Sequence, residues 1–366
     1  MDKMKIYING RFLTQKVTGV QRYAFQLLEE LDRENITRQT ESDWSANMEV
    51  MIPGDKSVSI KYDSIKFRKV GVLSGHLWEQ FELPWHSRDG LLISFCNTGP
   101  LLKRQHVVTI HDASVFGFPS AYSFAFRTWY QLLFLGLGRT ASKIITDSKF
   151  SKNELQRYCG TPSDKIKTIY LGGEHLDSVK SDEKILRDHS LTRDSYVLAV
   201  SSFNPNKNFQ SIVEAVNLIG EANYTFVIAG ARNAKVFGRN DLTLPDNVVH
   251  VGYVSDAELK ALYENAACFV YPSFYEGFGL PPLEAMNCGC PVIVSAAASL
   301  PEVCGEAALY CNPHDPADIA EKIRRMMADP ALRDKLRAEG IERARVFSWE
   351  KCARQLWAEI EKVIGR

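Results

Sequence analysis

The sequence predicts an α/β protein of two doubly wound, Rossmann-like domains, and three observations carry that prediction. The chain has 366 residues, which suggests two domains at roughly 100–200 residues each. Short runs rich in Val and Ile, apolar on both faces, recur along it as buried parallel strands do. Helical patterns lie between the runs, and strand–helix alternation puts helices on both faces of a parallel sheet.

The first series of candidate strands is Lys5–Asn9, Leu91–Phe95, Val107–Ile110, Lys143–Thr146 and Ile166–Leu171. The second is Tyr196–Val200, Thr225–Ala229, Val248–Val251, Cys268–Tyr271 and Pro291–Ser295. Helices are expected over Val20–Leu31, Asn208–Leu218, Asp256–Asn265, Ala317–Met327 and Trp349–Val363. In the last, Cys352, Leu356, Trp357, Ile360 and Val363 recur at helical spacing. The alternation breaks in a polar, charged stretch with a Gly-Gly. Domains are therefore expected over 1–172 and 194–347, with a linker at 173–193 and a terminal helix in 348–366.

Lys and Arg total 44, and so do Asp and Glu. This balance disfavours a bulk-basic nucleic-acid binder and an acidic disordered chain. The balance hides a split. Residues 1–170 hold 23 basic and 17 acidic side chains, a net +6; the remainder hold 21 and 27, a net −6. The split reads either as solvated faces or as two domains with different partners, the first facing something anionic. No run of about 18 apolar residues marks a membrane span. The apolar segment near the N-terminus is too short for a signal-peptide core, so a cytoplasmic protein is expected. Eight cysteines occur without a C-x-x-C pair, which favours free thiols over a metal site.

Ligands of doubly wound sheets bind at the C-terminal strand ends. Those ends lead here into His111-Asp112, Asp147-Ser148, Asn204–Asn208, Gly252-Tyr253 and Pro272–Gly277. Polar residues thus gather at one edge of each predicted sheet. The densest stretch is Tyr271–Cys290, YPSFYEGFGLPPLEAMNCGC. Glu276 sits on a Gly-rich turn, and Glu284, with seven residues between them, falls in a short helix. Pro281 and Pro282 suit that helix's first turn and Gly289 its end. Glycines admit a ligand close to the backbone, and N–H groups at a helix start favour phosphate. The carboxylates suit hydroxyl groups of a sugar or ribose, or else are simply solvated.

The pattern E-G-F-G-L-P-x-L-E-A-M-x-C-G-x-P-V resembles the E-x7-E signature of the family 4 retaining glycosyltransferases. The likeness extends more thinly through Gly19, His111-Asp112, Asp147-Ser148, Asn204–Asn208 and Gly252-Tyr253. It implies the GT-B fold: two Rossmann-like domains facing across a cleft, with the C-terminal helix crossing back to the first. It also implies roles. Glu276 would hold hydroxyls of the donor sugar and Glu284 the ribose. The backbone at Phe278, Gly279 and Leu280 would contact the phosphates, and Lys207 would pair with the diphosphate. Gly252, Tyr253 and Val254 would flank the base. Gly19 would lie near the diphosphate, His111 would bond the donor sugar, and Asp112 and Ser148 would lie on the acceptor side.

Two positions depart from the family pattern. Ser201 and Asn206 stand where many members carry Arg, so donor binding would rest on Lys207, backbone N–H groups and Arg232. The resemblance implies a nucleotide-sugar co-substrate, with GDP-mannose the first choice. It further implies no metal or other cofactor and a lipid-linked polysaccharide acceptor, as in O-antigen assembly. A UDP- or dTDP-sugar donor and a non-catalytic sugar-nucleotide binder are the alternatives. Finally, Val115–Leu137 is rich in aromatics and is followed by Arg139, Lys143, Lys149 and Lys152. It reads either as core or as an acceptor- or membrane-facing surface, since aromatics with Lys and Arg suit the lipid interface.

Overall fold

The computed structural model describes residues 4–41, 46–54, 60–201, 204–230 and 247–365. The chain divides into two units, 1–172 with 348–366, and 173–347. Residues 173–193, expected as a linker, count with the second unit. Lys260 Nζ donates there to the carbonyls of Leu176, Asp177 and Val179.

The first unit is built on a seven-stranded, all-parallel sheet, in the order β3-β2-β1-β4-β5-β6-β7. Its strands are β1 Lys5–Asn9, β2 Asn47–Pro53, β3 Ile65–Val70, β4 Leu91–Ser94, β5 His106–Thr109, β6 Lys143–Thr146 and β7 Ile166–Thr168. β4 and β5 are buried along their whole length, as two covered faces require. β2 and β3 extend the predicted set. β3 is an edge strand whose Lys66, Arg68 and Lys69 are exposed, so its apolar run is broken by charge.

The second unit has a six-stranded parallel sheet, in the order β10-β9-β8-β11-β12-β13. Its strands are β8 Tyr196–Ser201, β9 Thr225–Gly230, β10 Val248–Gly252, β11 Cys268–Tyr271, β12 Val292–Ser295 and β13 Ala308–Cys311. β13 was absent from the predicted strands. It lies at the other edge, where Ala308, Leu309 and Tyr310 are only half-buried.

Strand order reverses between β1 and β4 in the first sheet and between β8 and β11 in the second. A doubly wound sheet opens a crevice at such switch points.

The terminal helix Trp349–Val363 belongs to the first unit. Ser348 caps it by accepting from Lys351 N. Trp349, Cys352, Leu356, Trp357 and Ile360 are buried, each contributing roughly 1.5–3 kcal/mol by transfer from water. The helix packs on Gly19–Glu41, with Trp349 edge-on to Tyr23 and Arg38 over the Trp357 ring.

Candidate functional site

The second-unit cluster forms where the loops after β8 and β11 meet. Asn206 stitches them together: its amide donates to Tyr275 O, and its carbonyl accepts from Phe274 N and Ser273 Oγ. Asn208 takes the left-handed conformation that Asn tolerates and donates to Pro272 O and Pro313 O. These bonds present Lys207 and Glu276 to each other. Lys207 Nζ lies 2.7 and 2.8 Å from the two Glu276 oxygens and 2.5 Å from Tyr271 Oη. Ser273 Oγ also lies within hydrogen-bond reach of Glu276 Oε1, so its single proton is shared between that oxygen and the Asn206 carbonyl. Burial and the Glu276 charge hold the Tyr271 phenol well above its ordinary value, so it stays neutral. The resemblance gives Lys207 and Glu276 different groups of the donor to hold; in the fold they are also direct partners of each other.

The helix Leu280–Asn287 follows. Gly279 opens it at φ +105°, a conformation that favours glycine, and an added Cβ there would also crowd the Leu300 side chain at 2.6 Å. Pro281 and Pro282 remove two N–H groups from the first turn, which leaves Gly279 and Leu280 as its backbone donors. Phe278 and Leu280 bury their side chains, which leaves only their backbone for any ligand contact. Gly289, at φ +71°, follows the helix end. Glu284 is buried, and His175 Nε2 lies 3.1 Å from its Oε1. Gly252 closes β10 at φ +79°, Tyr253 beside it is exposed and Val254 is half-buried. Ser201 ends β8, and its side chain, like the whole of Arg232, lies outside the described residues.

The first-unit cluster centres on His111, at the end of β5. Its Nδ1 is 2.6 Å from Asp147 Oδ2, at the end of β6, and its Nε2 is 2.9 Å from Phe95 O. A carbonyl only accepts, so Nε2 carries a proton. Burial opposes the charge, but Asp147 outweighs it and holds His111 above the ordinary imidazole value. Asn97 Oδ1 accepts from His111 N, and the Tyr23 ring stands edge-on at 4.7 Å. Gly19 begins the helix that carries Tyr23, and an added Cβ there would meet nothing within 4 Å. Asp112 accepts from Ser114 N. Ser148, expected on the acceptor side, is fully buried and caps Lys149–Cys159 by accepting from Ser151 N.

Sequence reading missed three features. Asp147 was visible only as a strand-end residue, and His175 fell in the presumed linker. The third is Glu79, fully buried at the β1–β4 switch, where Asn9, Arg11 and Thr98 donate to it. Burial works against its charge, but these donors and His76 hold it below the usual carboxylate range. Nothing in its spacing announced it. Among the described residues no group of His, Cys, Asp or Glu is arranged to hold a metal ion, and none of the eight cysteines forms a disulfide.

Comparison with known proteins converges on one group. The model of the glycosyl transferases group 1 matches residues 181–343, and that of glycosyltransferase family 4 matches residues 79–173. The O-antigen chain mannosyltransferase B of Escherichia coli is 31% identical, over 96% of this chain and 98% of that protein. The chain is a family 4 glycosyltransferase. This glycosyltransferase shares its fold with sucrose-phosphate synthase from Thermosynechococcus elongatus, at TM-score 0.78 and 20% identity over 99% of each chain. It also shares it with WaaG, a glycosyltransferase involved in lipopolysaccharide biosynthesis, at TM-score 0.71 and 14% identity over 99% of this chain and all of that one. The fold is GT-B and the enzyme a retaining hexosyltransferase.

Proposed function

We propose that this glycosyltransferase moves mannose, with retention, from GDP-mannose to a growing lipid-linked O-antigen or other surface polysaccharide. The observation that carries the reading is the Lys207–Glu276 pair at the β8–β11 switch, with Glu284 on the helix that follows. Glu276 would hold hydroxyls of the sugar beside the reacting carbon, and Glu284 the ribose. Lys207 would exchange its carboxylate for the diphosphate and stabilise charge building on the leaving group. The backbone N–H groups of Gly279 and Leu280 would complete the phosphate site without a metal ion. Retention is best served by front-face substitution, in which the departing phosphate takes the acceptor hydroxyl's proton as that oxygen bonds to the sugar carbon. The mannosyl donor and polysaccharide acceptor rest on likeness to the O-antigen chain mannosyltransferase.

Contact with a membrane surface belongs to the same reading. Among the described residues no helix is long and apolar enough to span a bilayer. The first unit does expose Leu77, Phe81, Trp85, Leu102, Phe124 and Leu132. Arg88 lies over Trp85, Arg127 lies over Phe124, and His76 packs on Trp129 between the two helical segments. Aromatics beside guanidinium groups suit an anionic lipid interface. The helix Phe124–Thr140 thus divides: Leu133, Phe134 and Leu137 are core, while its first turns are exposed. Lys143, grouped with the basic surface in the sequence, pairs instead with Glu359.

A panel of nucleotide sugars screened by thermal shift, followed by transfer of labelled sugar to lipid-linked acceptor, tests the reading. GDP-mannose should raise the melting temperature most and label the acceptor, with excess chelator making no difference. Transfer from a UDP- or dTDP-sugar instead would overturn the donor, and loss of activity with chelator would overturn metal independence.

A further inference from the structure

Tyr271 has no part in the reading above, yet it holds the lysine on which that reading turns. An ammonium carries three N–H groups and can only donate. Lys207 Nζ donates to both Glu276 oxygens, at 2.7 and 2.8 Å, and to Tyr271 Oη, at 2.5 Å. The two partners differ in kind. Glu276 is the carboxylate assigned to the sugar hydroxyls, whereas the phenol stays neutral, because burial and the Glu276 charge oppose its ionisation. The phenol is also fixed in place. Tyr271 ends β11, and its buried ring stacks on Phe269 of the same strand, at 5.6 Å between centroids and 29° between planes. Phe269 in turn meets Tyr263 edge-on at 5.3 Å, from the helix Asp256–Asn265. A ring packed in such a column has little freedom about either side-chain torsion.

Lys207 needs such a hold. Its charge is a compact point at the end of a flexible four-carbon stem, and that stem is partly exposed. Glu276 alone cannot keep the amine in place, since the carboxylate is to be given over to the sugar when the donor binds. A neutral acceptor has no such conflict. It takes one N–H, leaves two for phosphate oxygens and cancels none of the positive charge. We infer that Tyr271 is a positioning residue for the transfer: its hydroxyl tethers Lys207 Nζ at the end of β11 while the amine passes from Glu276 to the diphosphate of the donor. This role rests on Lys207 as the diphosphate partner. It goes further in placing control of the cation on the sheet, through β11, and not on the loop after β8 that carries the lysine.

The test uses calorimetry on the full-length enzyme with GDP and UDP, and ligand-observed NMR with guanosine and uridine. Lys207→Ala should weaken whichever diphosphate wild type prefers. Tyr271→Phe keeps the ring and removes only the hydroxyl. It should weaken that diphosphate about tenfold, the scale of one hydrogen bond to a charged group, and leave nucleoside binding unchanged. In the Lys207→Ala background it should add nothing. In turnover, Tyr271→Phe should lower kcat by more than it raises the donor KM, because the charge facing Lys207 grows as the diphosphate departs. If wild type binds neither diphosphate, or Lys207→Ala binds it as tightly as wild type, the reading of Lys207 fails. If Lys207→Ala weakens the diphosphate and Tyr271→Phe does not, the tether alone fails. Three results would make the hydroxyl merely structural and overturn the inference: equal weakening of diphosphate and nucleoside by Tyr271→Phe, a further loss on top of Lys207→Ala, or a Tyr271→Phe chain that does not fold.

Discussion

The clusters in the two units pair bases with carboxylates under different exposure. In the second unit, Lys207 meets Glu276 with its side chain 22% exposed, on a loop at the switch point. In the first, His111 and Asp147 are sealed, at 6% and 2% exposure. Lys207, the more open partner, can turn to the phosphates of a ligand, provided that the buried Glu276, at 7% exposure, gains sugar hydroxyl donors in its place. A sealed pair cannot, because removing one partner strands a buried charge. The first arrangement suits exchange during binding, and the second suits holding a strand end in place.

That contrast can be broken by substitution. The largest effect is expected at Glu276→Gln, which keeps the shape and removes the charge. Transfer should fall about 10³-fold, the scale of a lost transition-state contact, with circular dichroism unchanged. Activity above a tenth of wild type would remove Glu276 from the chemistry. Next comes Asp147→Asn, which breaks the sealed pair and should lower unfolding free energy by about 3 kcal/mol in urea titrations. Its pH dependence has a defined sign. The folded pKa of His111 lies above 6.5, so its contribution is fully present below about pH 6.5 and is lost as pH rises through the folded value. Wild-type stability should decline over that window, and the Asn variant should be flatter. An identical slope in both would show that the pair is not coupled to titration.

Lys207→Ala probes the exchangeable pair. The affinity for nucleoside diphosphate should drop roughly 10²-fold by calorimetry. An unchanged Kd would confine Lys207 to holding Glu276. The smallest effect is expected at the exposed rim of the first unit. Phe81→Glu with Trp85→Glu should cut binding to vesicles containing phosphatidylglycerol about tenfold and leave transfer to a soluble acceptor analogue intact. Full retention on vesicles would exclude this face as the lipid contact.

Legibility in the sequence followed how local each feature is. The helix at Glu284, the turn at Glu276 and their Pro and Gly boundaries all lie within twenty residues, Tyr271–Cys290, and each could be read from backbone chemistry. Central strands such as β4, β5, β11 and β12 could be read because both of their faces are covered. The edge strands β3 and β13 escaped because charge or half-exposure dilutes their apolar pattern, and so did β2, an inner strand to which that dilution does not apply. The aromatic helix Phe124–Thr140 could not be assigned to core or surface from its composition, because it is core at one end and surface at the other.

The sequence by itself determined the doubly wound class, the two carboxylates with their spacing, the lysine and histidine at strand ends, and the family. Those features depend on backbone periodicity and on residues that are near neighbours in the chain. Only the tertiary structure decided who partners whom: Lys207 with Glu276, His175 with Glu284, Asp147 with His111, and Glu79 with Arg11. Parallel strands join through long crossovers, so residues at adjoining strand ends are tens of residues apart in sequence. The charge that meets a given carboxylate is chosen by sheet order, which no local pattern encodes.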